Sequence, residues 1–221
     1  MRLLSFVSVV LLLGYGCAPV QIKMSRDDWN YVKAQPEIVA VHYPPSTPFT
    51  AATRERSLVG GLLGVALYVA KGNEMVKDHN LEDPILQVKN NFLSAVVQNT
   101  GITSSRSIQE PQSEDSLDEL QKALGKSLVI DFKTTEWVLS YIRFDWSHYR
   151  LRYLAQARLI RLNEPRIIWQ GVCKVEEDQL LANPTWDEII ANNASLLKAK
   201  MKEAANRCAD QLIAQFLGKE S

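Results

Sequence analysis

The second half of the chain alternates apolar and polar residues with period two, as strands with one buried face do. This pattern predicts a long strand over Leu128–Ile142 with a bulge near 134–136, a turn at 144–148, and further strands at 149–159 and 167–175. Short connections between consecutive strands favour antiparallel pairing. The sequence therefore predicts a three-strand antiparallel meander.

After the meander, the apolar spacing changes to that of a helix. Thr185 and Glu188 form a capping-box pattern at its start, Asn192-Asn193 marks a place for a kink, and Gly218 follows its end. Apolar residues recur along it at spacings of three and four: Ile190, Ala194, Leu197, Met201, Ala205, Cys208, Leu212 and Phe216. We expect this long helix to cover the sheet.

The first half of the chain mixes helices with short strands. Ser25 is placed to cap one helix, and the dipeptide Asp83-Pro84 is typical of the start of another. The predicted bounds are 26–34, 84–98 and 117–124 for helices, and 37–43 and 102–108 for strands. The predicted fold class is α+β: a mixed or antiparallel sheet with a C-terminal three-strand meander, covered on one face by helices that include the long C-terminal helix.

The first sixteen residues have the layout of a secretory signal peptide. Arg2 gives a positive start, an apolar run covers 3–13, and small residues precede Cys17. The run is shorter than the roughly 20 residues that a membrane-spanning helix needs. We expect residues 1–16 to be removed on export.

Cys17 resembles the lipid-modified cysteine of bacterial lipoproteins, which becomes the first residue after cleavage. The match is incomplete, because Gly14 and Tyr15 stand where that pattern has a Leu and a small residue. The alternative is an ordinary signal peptide cut after Gly16, which leaves a free thiol. By the same resemblance, the absence of Asp at Ala18 implies the outer membrane, with the protein facing the periplasm. The expected organisation is then a lipidated N-terminus, tether and short helix at 17–35, and a single α+β domain at 36–221.

An apolar, glycine-rich excursion at 57–72 is the most unusual part of that domain. Its core, 58–70, carries no charge and would span about 20 Å as a helix, which is less than the roughly 30 Å of a bilayer core. The segment can dip into a membrane, pack on a partner helix, or be a buried helix of this domain. We expect a contact surface here and at the aromatic residue of the predicted 144–148 turn; its residues are Gly60, Gly61, Gly64, Leu67, Tyr68 and Trp146.

Two cysteines remain besides Cys17. Cys173 lies on the apolar face of its predicted strand, and Cys208 lies on the apolar stripe of the last helix. If the helix covers the sheet, the two can form a disulfide, which persists in an oxidising compartment. The alternative is a pair of buried free thiols.

Composition and motifs exclude several classes of function. Lys and Arg total 25, as do Asp and Glu, and Arg150, Arg152, Arg158 and Arg161 fit a solvated strand face better than a nucleic-acid surface. The three histidines, His42, His79 and His148, lack the spacing of a helical zinc site. We expect no enzymatic activity, no catalytic residues, no metal, no cofactor and no nucleic-acid partner.

The cysteine pattern, the early strands and helices, and the meander followed by a long helix together resemble a broad group of small envelope lipoproteins. That group includes auxiliary lipoproteins of envelope transporters, activators of cell-wall synthases, and proteins with the N-terminal fold of the Tol-system propeller protein. The resemblance implies a lipid-anchored, non-enzymatic accessory or assembly protein, bound to the membrane through Cys17 and to an envelope protein or to itself. The alternative is a periplasmic carrier of a small hydrophobic or lipid ligand.

Overall fold

The alternating second half of the chain forms the centre of the fold. The computed structural model describes residues 20–53, 61–102, 104–125, 127–142, 145–176 and 183–219; the predicted signal peptide, Cys17 and Gly60 lie outside them. The strands are β1 Glu37–His42, β2 Thr50–Ala51, β3 Ser104–Ser107, β4 Leu128–Ile142, β5 Asp145–Arg161 and β6 Arg166–Glu176. The helices are α1 Arg26–Lys33, α2 Gly61–His79, α3 Ile85–Thr100, α4 Leu117–Leu124 and α5 Trp186–Phe216.

These strands form one mixed sheet. Within the described residues its order is β3-β1-β4-β5-β6, and β2 pairs with the second half of β4. The antiparallel meander of β4, β5 and β6 is confirmed, with a register shift between Thr134 and Glu136 where a bulge was predicted. β1 is parallel to both β3 and β4, because helical connections return the chain to the same end of the sheet.

The turn inside the meander is shorter than predicted. Ile142 pairs with Asp145, so β5 already includes Trp146 and His148, which the sequence placed in a turn at 144–148. Pairing with β4 supplies backbone hydrogen bonds that outweigh the weak local β-propensity of this polar stretch. Trp146 is therefore an exposed strand residue.

The main core lies between one face of the sheet and helices α3 and α5. Phe92, Trp169 and Phe216 bring one ring from each of α3, β6 and α5 together, with ring centroids 5.2 to 5.8 Å apart. Cys173 and Cys208 form a disulfide across the same layer, with their Cα atoms 5.1 Å apart. The predicted disulfide and the α+β class with a long helix on the sheet are both confirmed.

The short helix α4 covers the opposite face of the sheet over a smaller cluster. Its Leu120 packs there with Val39, Val41, Val129, Ile160 and Leu162. Next to this cluster, the buried carboxylate of Asp131 accepts hydrogen bonds from Arg158 at 2.6 Å and from the Tyr43 hydroxyl at 3.0 Å. Burial raises the pKa of Asp131, and the hydrogen bonds from Arg158 oppose that effect.

The long helix is kinked at the predicted place. Asn192, Asn193 and Ala194 have left-handed φ values of 50°, 56° and 53°. The kink shifts the helical phase, so Ile189 rather than the predicted Ile190 is fully buried before it. From Ala194 onwards the predicted stripe is buried, because an unbroken helix again faces the sheet.

The outer edge of β6 is sealed by side chains of α5. Gln215 accepts from the backbone N–H of Val172 at 3.0 Å and donates to its carbonyl at 2.8 Å. Gln211 does the same for Lys174, at 2.9 and 3.0 Å. Polar groups that a strand edge would offer to another strand are therefore already bonded.

The first described residues lie on this same edge. Ile22 and Gln170 exchange backbone hydrogen bonds of 3.0 and 2.9 Å in an antiparallel bridge. Followed backwards, the chain therefore runs from Ile22 to Val20 in the direction of Glu176. That is the end of the sheet where the β4–β5 hairpin turns.

Candidate functional site

The first half of α2 exposes apolar side chains to solvent. Leu62, Leu63 and Val65 are 89%, 72% and 57% exposed, and together with Ala66 and Ala70 they form an outward face that we call the apolar tip. The alternative of a helix buried in its own domain therefore does not hold for this face. Exposed apolar patches are costly in water and mark contact surfaces, which fits the predicted contact surface here.

The second half of α2 holds the helix against β2. A Cβ atom at Gly72 would collide with the carbonyl group of Phe49, so only glycine allows this close approach. Met75, one turn later, is buried in the main core. Gly72 was not recognisable from the sequence as a contact residue, because it follows the charged Lys71 and so lies outside the uncharged run.

Aromatic rings join the apolar tip to the hairpin. The Tyr68 hydroxyl is hydrogen-bonded to that of Tyr141, and burial together with this neighbour raises the pKa of Tyr68. The ring of Tyr141 in turn packs on that of Trp146, with centroids 4.6 Å apart and Trp146 48% exposed. We call these three residues the aromatic rim. The structure thus brings together the apolar segment of α2 and Trp146, which were predicted as separate parts of a contact surface.

The N-terminal half of α2 runs toward the hairpin end of the sheet. Gly72 lies beside Thr50, which is level with Val138 on β4, whereas Tyr68 contacts Tyr141 nearer the hairpin. The N-terminus of α2 therefore points toward the hairpin. Leu62 is six residues before Tyr68, or about 9 Å further along the helix axis.

Of the predicted contact residues, Leu67 and Tyr68 are half-buried in α2, Gly64 is buried, and Gly61 begins the helix. Gly60 lies outside the described residues. The side chains most exposed on α2 are Leu62, Leu63 and Val65, which the prediction did not name. Their apolar character was visible in the sequence, but which side of the helix faces away from the sheet was not.

The base of the tip rests on the start of α5. Lys71 places its ammonium over the Trp186 ring, 5.7 Å from the centroid, and that ring packs on Tyr149 at 5.3 Å. The Thr185 capping box is formed as predicted, and it opens the helix beside His148. The tip is thus supported by a packed aromatic base.

The three histidines lie in separate places. His148 contacts Asp145 at 2.6 Å on the exposed start of β5, and His79 contacts Asn193 at 3.3 Å beside the kink of α5. His42 is buried, with its ring 3.3 Å from the ammonium of Lys89. In the part of the chain that the structure describes, no group of three His, Cys, Asp or Glu side chains could hold a metal ion.

Lys89 is a fully buried lysine on α3. Its ammonium donates to the carbonyl of Ile108 at 2.7 Å, which fixes the segment after β3 against the core. Burial lowers the pKa of Lys89, and burial followed by the charge of Lys89 lowers the pKa of His42. This arrangement connects α3, β1 and the loop, and it is closed to solvent.

An open pocket of about 360 Å³ lies where the α2–α3 connection meets α5. Asp83 lines it and accepts from Thr134 at 2.6 Å and from the Ile85 N–H at 3.1 Å, while its second oxygen is buried without a partner among the described residues. Burial raises the pKa of Asp83 to about 6. Its walls combine the charged or polar side chains of Glu82, Gln87, Lys198 and Lys202 with the apolar Pro84 and Met201.

Each arginine of the predicted solvated strand face pairs with a carboxylate. Arg150 contacts Glu176 at 3.0 Å, and Arg161 contacts Glu164 at 2.9 Å. Arg152 pairs with Glu136, and Arg158 with the buried Asp131. The positive charge of this run is thus locally balanced.

No helix within the described ranges combines the length and the apolar character needed to cross a membrane. The α2 helix has nineteen residues, but its second half is polar and charged.

Comparisons with known proteins give distant structural likenesses. No protein-family model and no curated protein matches the chain. Among solved structures, the hypothetical protein CT253 from Chlamydia trachomatis is 10% identical, with 84% of this chain and 97% of that chain covered and a TM-score of 0.39. The PelC dodecamer from Paraburkholderia phytofirmans is 10% identical (82% and 87% covered, TM-score 0.34), and the lipoprotein GNA1162 from Neisseria meningitidis is 16% identical (78% and 99%, 0.27). At these identities and TM-scores, the likeness transfers no role to this chain.

Proposed function

We propose that this protein is a lipid-anchored, non-enzymatic accessory or assembly protein of the bacterial cell envelope. It acts at the membrane surface, where the hairpin end of its sheet contacts envelope machinery. The observation that carries the proposal is the exposed apolar tip of α2, joined through Tyr68 and Tyr141 to the exposed Trp146. Exposed apolar patches of this kind mark sites of protein or membrane contact.

The position of the N-terminal chain supports the same role. Val20 lies three residues after Cys17, and the chain traced from Ile22 to Val20 heads toward the hairpin end. A lipid at Cys17 would attach the β6 edge of the sheet to an envelope membrane, which we propose is the outer membrane with the protein on its periplasmic side.

Site-specific photocrosslinking in intact cells tests the proposal. A photoreactive phenylalanine replaces Trp146 in one variant and Glu119, exposed on α4, in the matched control. We expect one dominant crosslinked envelope protein from position 146, none from position 119, and loss of the product in a Cys17→Ala background. Equal products from both positions, or no product at 146, would contradict the proposal.

The packing between the sheet and α5 does not favour the carrier hypothesis. That hypothesis requires space between the sheet and α5, where the rings of Phe92, Trp169 and Phe216 and the disulfide are packed together. The pocket at Asp83 lies at the surface and has charged side chains in its walls, which suit a hydrophobic ligand poorly.

A further inference from the structure

We propose that the apolar tip of α2 inserts into one leaflet of the membrane, so that the protein holds the bilayer by a helix tip as well as by its lipid. This inference rests on the proposed function and deepens it. It assigns the tip to lipid and places Trp146 at the membrane surface, where the exposed part of its ring can also contact a protein partner.

The polarity of α2 changes abruptly along its length. The outward face is apolar at Leu62, Leu63 and Val65 and remains uncharged as far as Ala70. Beyond this point the exposed residues are Asn73, Glu74, Lys77 and Asp78. A partner helix would match a stripe running along the whole helix, whereas a lipid surface matches an apolar end with a charged shaft.

The length of the apolar part fits one leaflet. Residues 61–67, which precede Tyr68, span about 10 Å at 1.5 Å per residue, which is within the roughly 15 Å depth of one leaflet of the hydrocarbon core. The segment is thus suited to entering the membrane without crossing it.

The aromatic rim lies at the boundary between the two parts. Tyr68, Tyr141 and Trp146 combine apolar rings with polar groups, and such side chains concentrate where lipid tails meet headgroups. Asp145 is next to Trp146, and its carboxylate contacts His148. Because a carboxylate is costly to bury in lipid, Asp145 limits the depth of insertion. Insertion therefore ends at the rim.

Depth-dependent fluorescence quenching tests the inference on the full chain reconstituted in liposomes of phosphatidylethanolamine and phosphatidylglycerol. The polarity-sensitive dye NBD is attached to a Leu63→Cys variant at the tip or to an Asn73→Cys variant on the exposed shaft. The chain without an added cysteine gives the labelling background, since lipid blocks the Cys17 thiol and Cys173 and Cys208 are bonded to each other. We expect spin-labelled acyl chains to quench position 63 and aqueous iodide to quench position 73.

Two results would overturn the inference. Iodide quenching at both positions would show a tip in water. Shielding of position 63 from iodide without quenching by labelled lipid would show a tip covered by protein, such as a second copy. In either case, photocrosslinks from position 146 would still support the accessory role. Conversely, quenching of position 63 by labelled lipid, without any photocrosslink from position 146, would support insertion and contradict the accessory role.

Discussion

The buried charge of Asp131 is stabilised by an ion pair with Arg158. Asp131 has only 3% of its side chain exposed, and Arg158 17%, yet their hydrogen bonds satisfy the carboxylate together with Tyr43. Removing one partner of such a pair leaves an uncompensated buried charge, which costs far more than the pair contributes.

We therefore expect Arg158→Met to lower the free energy of unfolding by about 3–5 kcal/mol in urea denaturation. The matched control is Arg152→Met, whose partner Glu136 has 29% of its side chain exposed; it should cost about 1 kcal/mol or less. Adding Asp131→Asn to Arg158→Met should recover part of the loss. Equal costs for the two single variants would mean that Asp131 is solvated.

Asp83 gives the protein a pH dependence of a definite sign. Its folded pKa of about 6 lies above the ordinary value of 3.8, because burial disfavours the carboxylate. The group therefore stabilises the fold fully below the unfolded pKa, and this contribution is lost as the pH rises through about 6.

An Asp83→Asn variant should not lose this contribution as the pH rises. The free energy of unfolding of the variant, relative to the original chain, should rise by up to about 3 kcal/mol between pH 4 and pH 7. Urea unfolding at several pH values measures it, with Glu82→Gln as the control for losing a neighbouring exposed carboxylate. A constant difference across this range would place the Asp83 carboxylate in contact with water.

At the scale of elements, α2 depends on one close contact. Because a Cβ at Gly72 would meet backbone rather than a flexible side chain, the helix must move away from β2 to accommodate it. We expect Gly72→Ala to cost about 1–3 kcal/mol and to speed amide hydrogen exchange throughout α2. Asn73→Ala, on the exposed side of the same turn, should leave exchange unchanged. Unaltered exchange in the Gly72 variant would show that the contact is loose.

The elements that the sequence predicted well are those that carry their own signal. Period-two alternation located β4 and β6, and the Thr185 capping box located the start of α5. Elements set by distant partners were predicted poorly. β5 extends back to Asp145 because β4 is there to pair with it, and Ile189 replaces Ile190 in the core because the left-handed turn at Asn192 changes the helical phase.

The candidate site was predicted only in part for the same reason. The uncharged run and Trp146 were recognisable from the sequence, and the structure adds that Tyr141 connects them. Which face of α2 is exposed depends on Gly72 meeting Phe49, a contact between segments that nothing in the local sequence marks. Surface residues such as Leu62 therefore could not be assigned before the packing was known.

At the scale of the whole molecule, the disulfide connects sheet and long helix across the core. Cys173 and Cys208 are 35 residues apart in sequence, and closing a loop of that size stabilises the fold by about 3–4 kcal/mol in the chain-entropy model. We expect the double variant Cys173→Ser, Cys208→Ser to unfold at lower urea and to be insensitive to reductant. The reduced original chain should unfold at the same urea concentration as the double variant. The control Cys17→Ser should unfold at the same urea concentration as the original chain. Equal midpoints with and without reductant would show that the bond adds nothing.

The glutamines of α5 also limit how copies of this sheet can join. Growth of a continuous fibre needs two free strand edges on every copy, one to receive a neighbour and one to pass the pairing on. Gln211 and Gln215 bind the backbone N–H and C=O groups of Lys174 and Val172, so the β6 edge cannot pair with a strand of another copy. Two copies can pair through their β3 edges, but the β6 edges that remain cannot pair with a third copy. The sealed β6 edge therefore opposes growth of polymers built by strand pairing.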